Sequence, residues 1–180
     1  DTFEVMSCYL DYLVFRTTEH KKLELAYKYF KKPIINALSD LSHPCQAISD
    51  IYTLKEKFGT IDNLNIVWMG DMNNVLFSLL EVISFTKNTK IDVFTDRKIY
   101  SQNKDSFNHN KHINFHFEIN KNIISKANCI MTDVFTSMND KEDKEKILSK
   151  FQVNDKIMSM TDEKSIFMHC LPAKIGSEVT

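Results

Sequence analysis

Short apolar clusters alternate with stretches of helical periodicity along most of the chain. Seven clusters rich in β-branched and aromatic residues have the length of strands; they lie at 12–15, 34–35, 66–69, 91–95, 113–117, 129–131 and 166–168. Helix-period stretches lie at 19–30, 44–58, 74–86, 120–126 and 142–151. Because a helix between two strands returns the chain to the same end of a sheet, this alternation predicts an α/β fold with a largely parallel sheet.

The helix predicted to begin at Pro44 has signals at both ends. Ser42 or His43 is suited to the N-cap, and proline suits the first helical position. Gly59 is suited to end the helix, because glycine adopts the left-handed conformation that closes many helices. This helix is long enough to link two halves of the protein.

The best candidate for a domain boundary lies just after that helix. A polar segment at 60–64 leads into a new first strand, so we expect one unit at 1–58, including the linking helix, and a second at 59–180. The segment 100–111 is polar without an apolar period, which predicts a surface loop.

Composition excludes several classes of protein. With 23 basic and 24 acidic residues, the chain lacks the positive charge that nucleic-acid binding needs, although a local patch suited to a phosphate-sized anion is still compatible. No apolar run has the length of a membrane span, and the first residues do not have the pattern of a signal peptide. The four cysteines are far apart and form no Cys-x-x-Cys pair, which predicts a reducing compartment, the cytoplasm, and no disulfide framework.

Polar side chains follow most of the predicted strands at the point where each strand ends. In parallel α/β sheets, ligands bind beyond these carboxyl ends, so we expect the side chains to converge at one edge. The residues are Arg16, His43, Asp71, Asn74, Asp133 and His169.

Several of these residues also have ordinary structural explanations. Arg16 is compatible with a surface charge paired with Glu19, and one of the asparagines at 73 and 74 with a simple helix cap. Cys170 is compatible with a structural thiol, with half of a Cys-His nucleophilic pair, or, with His43 and His169, with a zinc ligand. Neighbouring residues on a strand point to opposite faces, which disfavours the Cys-His pair, and no ligand spacing supports zinc.

His43 and Gln46 are three residues apart at the start of the predicted helix, so both side chains are able to face one side. Free backbone N–H groups and the helix dipole favour an anion at such a helix start. An isolated His-Pro-x-Gln is more often explained by a histidine that caps the helix and a solvated glutamine. The other motifs of the chain reverse that preference.

Four motifs together resemble those of the ornithine carbamoyltransferases, in this order and at about these spacings. They are His43-Pro44-Cys45-Gln46, Gly70-Asp71-Met72-Asn73-Asn74, Asp133-Val134-Phe135-Thr136-Ser137-Met138 and His169-Cys170-Leu171-Pro172-Ala173. The resemblance implies a Rossmann-like carbamoyltransferase fold with a truncated first domain. It also implies transfer of the carbamoyl group from carbamoyl phosphate to L-ornithine, giving L-citrulline and phosphate, in a homotrimer that needs no metal or organic cofactor.

The same resemblance implies roles for individual residues. The carbamoyl phosphate contacts would be Arg16, His43, Pro44, Cys45, Gln46, Cys170 and Leu171, of which Arg16, His43, Gln46 and Cys170 would be catalytic. The ornithine contacts would be Asn74, Asp133, Ser137 and Met138.

Departures from the family pattern define the alternatives. The Ser-Thr-Arg-Thr phosphate loop and the arginine-bearing last helix of the family have no match in the chain, and Asn139 stands where relatives usually carry glycine. We therefore expect the chain to be a fragment that has weak or no catalytic activity by itself. Two other functions are compatible: a carbamoyltransferase for aspartate or an acylated ornithine, and a remnant that binds without catalysis.

Overall fold

The computed structural model describes residues 2–107, 111–136 and 143–180. The elements in chain order are α1 (Thr2–Met6), β1 (Leu13–Arg16), α2 (His20–Tyr29), β2 (Ile34–Leu38), α3 (Pro44–Phe58), β3 (Asn65–Met69), α4 (Asn74–Ile83), β4 (Lys90–Phe94), α5 (Arg97–Phe107), β5 (Ile113–His116), α6 (Lys121–Ile124), β6 (Cys129–Thr132), α7 (Glu145–Leu148), α8 (Asp155–Met158) and β7 (Ile166–His169). A 3-10 turn, Ser149–Phe151, follows α7.

The strands form two parallel sheets, which confirms the α/β prediction. β1 pairs with β2, and the other five strands follow the order β5-β4-β3-β6-β7. The chain proceeds outward from β3 to β5 and then returns to place β6 on the other side of β3. This reversal creates a crevice beyond the ends of β3 and β6, where ligands bind in open α/β sheets.

The larger sheet is buried because its central strands are apolar on both faces. All four residues of β6 are buried, as are four of the five in β3, where Trp68 is 1% exposed. Continuous apolar strands of this kind are typical of parallel sheets covered by helices on both sides. α4 contributes six buried residues to the same core.

The linking helix α3 has the predicted bounds, Pro44–Phe58. Gly59 adopts a left-handed φ of 74° and donates its N–H to the Lys55 carbonyl, as a C-cap requires. His43 is the N-cap residue, but its side chain makes no capping hydrogen bond, so its imidazole is not used to begin the helix.

The predicted surface loop at 100–111 is wrong, because most of it belongs to α5 (Arg97–Phe107). Ile99 and Phe107, eight residues apart, are 1% and 4% exposed and lie on one face of the helix. Asp96 begins the helix by accepting the Lys98 N–H through Oδ1 at 2.8 Å. Two buried side chains are enough to dock a helix whose other residues are polar.

Other differences concern helix length. The helix predicted at 142–151 is reduced to α7 and the 3-10 turn, and the short helices α1 and α8 were not predicted. The longest helix, α3, has 15 residues. In the part of the chain that the structure describes, no helix combines the length and apolar character needed to cross a bilayer.

Candidate functional site

A cavity of about 670 Å³ lies where the ends of β1 and β2 face the ends of β3, β6 and β7. Polar groups from both sheets therefore line one cavity, as we predicted from their positions at the ends of strands. Seven residues predicted for the site line it: Arg16, His43, Asp71, Asn74, Asp133, Cys170 and Leu171. His169, predicted at the same edge, is not in the lining.

Asp133, directly after β6, accepts hydrogen bonds from three groups in the cavity wall. Its Oδ1 accepts the Cys170 thiol at 2.8 Å and the Val134 N–H at 2.7 Å, and its Oδ2 accepts the Asn73 amide at 2.6 Å. The carboxylate is 9% exposed. Its three donors come from three segments, so it fixes the ends of β3, β6 and β7 relative to one another.

The Cys170 thiol is held in its protonated form. Burial is the largest cause that raises the pKa of the thiol, and the negative charge of Asp133 raises that pKa further. A thiol that donates to a carboxylate is a poor nucleophile, because the thiolate is the reactive species. Cys170 is therefore suited to contact a ligand as a neutral hydrogen-bonding group.

His169 does not act as a base toward Cys170. Its Nδ1 accepts the Leu171 N–H at 2.9 Å, and its Nε2 lies 3.1 Å from Glu178 Oε1, so both ring nitrogens are occupied. β7 ends at His169, and one ligand atom each from Asp133, His169 and Cys170 lie within 4.8 Å of one another.

His43 and Arg16 both line the cavity. Burial and the nearby Arg16 charge both lower the pKa of the imidazole, which favours its neutral form at neutral pH. Its Nδ1 is buried and has no hydrogen-bond partner among the described residues. A neutral imidazole beside a guanidinium is suited to a carbonyl oxygen next to an anionic leaving group.

The remaining residues of the His-Pro-Cys-Gln motif lie outside the cavity wall. Cys45 is exposed and its thiol donates to the Asn36 carbonyl at 3.3 Å, while the Gln46 amide donates to Asp50 at 2.9 Å. Pro44 occupies the first turn of α3. The structure does not bring His43 and Gln46 to one surface, and substrate contacts by Pro44, Cys45 and Gln46 stay predictions.

The two asparagines after β3, Asn73 and Asn74, have different structural roles. Asn73 caps α4, accepting the Val75 and Leu76 N–H groups, and its amide donates to Asp133. Asn74 donates to the Ser39 carbonyl at 2.6 Å and so connects α4 to the segment after β2. Both line the cavity. Ser137 and Met138, predicted to contact ornithine, lie outside the described residues, as does Asn139.

Sequence reasoning missed one cation of the site. Lys144 lines the cavity and lies 2.8 Å from Asp71 Oδ2; the two side chains are 20% and 3% exposed. α5 adds Asn103 and Phe107 to the same wall, which the loop prediction concealed. The spacing of Ile99 and Phe107 after a potential Asp96 cap was the available signal for this helix.

Asp50 was also missed. It lies on α3, is 4% exposed, and has one carboxylate oxygen without a hydrogen-bond partner among the described residues. Burial and the Asp133 charge raise its pKa to about 6, although the Gln46 hydrogen bond opposes the shift. The sequence shows Asp50 only as an acidic residue on an amphipathic helix, and that pattern does not indicate that its side chain is buried.

Two domains of one protein family match the chain, one on either side of Gly59. The carbamoyl-P binding domain of aspartate/ornithine carbamoyltransferases matches residues 1–56, and the Asp/Orn binding domain of the same family matches residues 62–180. Together they cover nearly the whole chain.

Similar proteins include ornithine carbamoyltransferases from bacteria and archaea. The Brucella ovis protein is 40% identical over 184 residues, and the Methanocaldococcus jannaschii protein is 37% identical over 190. Each alignment covers 100% of this chain but only 59% or 62% of the relative. The chain thus spans about three fifths of the length of the curated relatives it matches.

Solved structures agree with the sequence matches. Ornithine carbamoyltransferases from Thermus thermophilus and Pyrococcus furiosus each superpose with a TM-score of 0.84, at 32% and 36% identity, covering 100% of this chain and 60% of theirs. An aspartate transcarbamoylase from Trypanosoma cruzi shares the fold, with a TM-score of 0.77 at 21% identity over 100% of this chain and 58% of its own. With both family domains matched in chain order, this chain belongs to the aspartate/ornithine carbamoyltransferase family.

Proposed function

We propose that this protein transfers the carbamoyl group from carbamoyl phosphate to the δ-amino group of L-ornithine, giving L-citrulline and phosphate. One observation carries the proposal: Arg16, His43, Asp133 and Cys170 line a single cavity, in which the Cys170 thiol donates to Asp133. The first two suit a polarised carbonyl and a phosphate, and the second two suit an incoming amine. The 40% identity to an ornithine carbamoyltransferase supports the same acceptor.

The carbamoyl half of the reaction depends on the groups near α3. Arg16 is a fixed, multi-donor cation suited to both the carbonyl oxygen and the leaving phosphate. His43 in its neutral form donates a hydrogen bond to the carbonyl oxygen, and Gln46 contacts the carbamoyl group. The negative charge that develops on the carbonyl oxygen in the transition state is thereby stabilised.

The acceptor half depends on the groups after β3, β6 and β7. Asp133 attracts the ammonium groups of ornithine, with Asn74, Ser137 and Met138 as further contacts of the amino acid. The δ-amine attacks in its neutral form; its nitrogen bonds to the carbonyl carbon, the bond from that carbon to the phosphate oxygen breaks, and the amine gives up a proton. Positioning therefore carries much of the rate.

Other features of the proposal extend beyond the cavity. We assign carbamoyl phosphate binding to residues 1–58 and ornithine binding to 59–180, which the family matches at 1–56 and 62–180 support. A homotrimer, a cytoplasmic location and a role in arginine metabolism rest on the family resemblance alone. Light scattering on the purified protein tests the trimer, since a monomeric mass contradicts it.

The test uses the product of the complete open reading frame. Purified protein is incubated with carbamoyl phosphate and either ornithine or aspartate, and citrulline, carbamoyl aspartate and phosphate are measured. Citrulline with ornithine alone supports the proposal. Carbamoyl aspartate as the main product assigns the other acceptor, and ornithine binding without any product assigns a binding function.

A further inference from the structure

The side chain of Glu178 is buried beside the segment that leads from β7 into the cavity wall. Its Oε1 accepts the Lys174 N–H and lies 3.1 Å from His169 Nε2, so one oxygen joins two points of that segment. The residue is 0% exposed, and its Oε2 has no hydrogen-bond partner among the described residues. Burying an acidic side chain with one oxygen unsatisfied is costly, so stability alone does not explain Glu178.

The backbone of Glu178 is fixed from the opposite side. Its carbonyl accepts the Val153 N–H at 2.9 Å, and Val153 and Val179 form a parallel bridge. Val153 belongs to the hydrophobic core, so the carboxyl group is presented to His169 from a rigid base. The segment between His169 and Glu178 contains three residues of the cavity lining: Cys170, Leu171 and Pro172.

The hydrogen bonds of His169 determine which ring nitrogen carries the proton. Nδ1 lies 2.9 Å from the Leu171 nitrogen and accepts its N–H, and a ring nitrogen that accepts an N–H is not itself protonated. The single ring proton is therefore on Nε2, which donates it to Glu178 Oε1. Because the same oxygen also accepts the Lys174 N–H, it offers His169 an acceptor only and so selects this tautomer.

Leu171 depends on the Nδ1 acceptor because of its backbone conformation. Its φ is 50°, in the left-handed region that a leucine rarely adopts. The hydrogen bond from its N–H to His169 opposes a return to the ordinary extended conformation. Leu171 directly follows Cys170, whose thiol donates to Asp133, so a shift of Leu171 changes two groups of the cavity wall together.

We propose that Glu178 is a positioning residue that acts through His169. It holds the ring proton on Nε2, which makes Nδ1 the acceptor for the Leu171 N–H and so places Cys170 and Leu171 for the attack of the acceptor amine on the carbamoyl carbon. Neither Glu178 nor His169 lines the cavity, so we assign neither a contact with the substrates. The catalytic part of this inference rests on the proposed function, whereas the protonation of His169 does not.

Two substitutions at position 178 test the acceptor. In Glu178→Gln, the Lys174 N–H keeps the amide oxygen at the Oε1 position, so His169 retains its acceptor, whereas Glu178→Met removes it. With the product of the complete open reading frame, we expect kcat for citrulline formation to fall about 100-fold in E178M and only about threefold in E178Q, with KM for carbamoyl phosphate unchanged. Equal losses of kcat in the two variants, or a loss of stability in urea without a loss of kcat, overturn the inference.

Two substitutions at position 169 test the other ring nitrogen. Asparagine places an oxygen near the position of Nδ1, where it accepts the Leu171 N–H, whereas glutamine reaches the position of Nε2. We expect kcat to be at least about tenfold higher in His169→Asn than in His169→Gln, the value of one hydrogen bond. In the H169N background, E178M has no further effect on kcat. The inference fails if H169Q is as active as H169N, and this comparison decides alone if E178M does not fold.

The protonation of His169 is measured independently of activity. Long-range proton–nitrogen correlation NMR on protein labelled at histidine identifies the tautomer of each ring, and the signals of His169 are assigned by their loss in H169N. A proton on Nε2 in the unaltered protein and in E178Q, and its loss from that position in E178M, supports the role of Glu178. A proton on Nδ1 in the unaltered protein overturns the inference even if citrulline forms. If no citrulline forms, the proposed function fails, and the tautomer still decides whether Glu178 fixes His169.

Discussion

The Cys170 thiol donates a hydrogen bond to Asp133 Oδ1 at 2.8 Å, which joins the segment after β7 to the segment after β6. Because the thiol is buried and its acceptor is an acidic side chain, the pKa of the thiol is raised and its ionisation is opposed. The relationship keeps the Cys170 thiol neutral and leaves Asp133 as the charged member of the pair. The rate at which Cys170 is alkylated therefore reports whether this hydrogen bond is present.

We expect Cys170 to be alkylated by iodoacetamide at least about tenfold more slowly than the exposed Cys8 and Cys45 at mildly alkaline pH. Mass spectrometry of peptides over time gives the three rates. Asp133→Asn removes the charge that opposes ionisation, so it accelerates labelling of Cys170 and leaves Cys8 as a control. Labelling of Cys170 at the rate of Cys8 would contradict the hydrogen bond.

Asp133→Asn also tests the acceptor half of the proposed reaction. We expect kcat/KM for ornithine to fall by about 100-fold or more, because the charge that attracts the substrate ammonium is lost. The dissociation constant for carbamoyl phosphate changes little. Glu163→Gln, an exposed acid-to-amide change outside the cavity, is the matched control. Unaltered ornithine kinetics in D133N would remove Asp133 from the acceptor site.

The stability of the protein depends on pH through Asp50. Its pKa is raised from 3.8 to about 6 on folding, so the folded state binds the proton more tightly than the unfolded state. The favourable contribution is present below the unfolded value and is lost as pH rises through about 6.

Asp50→Asn removes this dependence. We expect the variant to be more stable than the unaltered protein by up to about 3 kcal/mol near neutral pH, and by little near about pH 4. Urea unfolding at several pH values measures the difference. Asp105→Asn, an exposed change, shows no such trend. A constant difference for D50N across the pH range is the contrary result.

Gly70 is required at the end of β3 by both conformation and space. Its φ is 126°, and a Cβ there would lie 2.8 Å from Phe135 Cε1. Gly70→Ala is therefore expected to lower the free energy of unfolding by about 3 kcal/mol. Gly59→Ala, at a φ of 74° with open space around it, lowers it by about 1 kcal/mol. Denaturant titration of both variants checks the order; equal losses would refute the close contact.

Lys144 and Asp71 form a partly buried ion pair at the cavity wall. Lys144→Met leaves the Asp71 charge without this cation, and we expect a loss of about 3 kcal/mol in the free energy of unfolding. Asp71→Asn in the same protein recovers part of that loss. Lys174→Met, which breaks an exposed pair with Glu145, is expected to change stability much less than Lys144→Met. Additive effects of the Lys144 and Asp71 changes would show that the two are not coupled.

Strand positions were predictable because burial on both faces demands continuous apolar sequence. β3 and β6 contain almost no other kind of residue, and each was predicted to within one residue at either end. α5 was not predicted, because its core contacts come from Ile99, Tyr100 and Phe107 among many polar neighbours.

The sequence by itself determined which residues stand at strand ends and hence which motifs belong to the candidate site, because strand ends follow from local apolar runs. Only the tertiary structure decided which of those residues share the cavity. It brought Asp133 to Cys170 across 37 positions of sequence, left Cys45 and Gln46 out of the cavity lining, and buried Asp50 on α3. Side-chain direction on a helix, and the burial of an acid, depend on packing between elements that are distant in sequence.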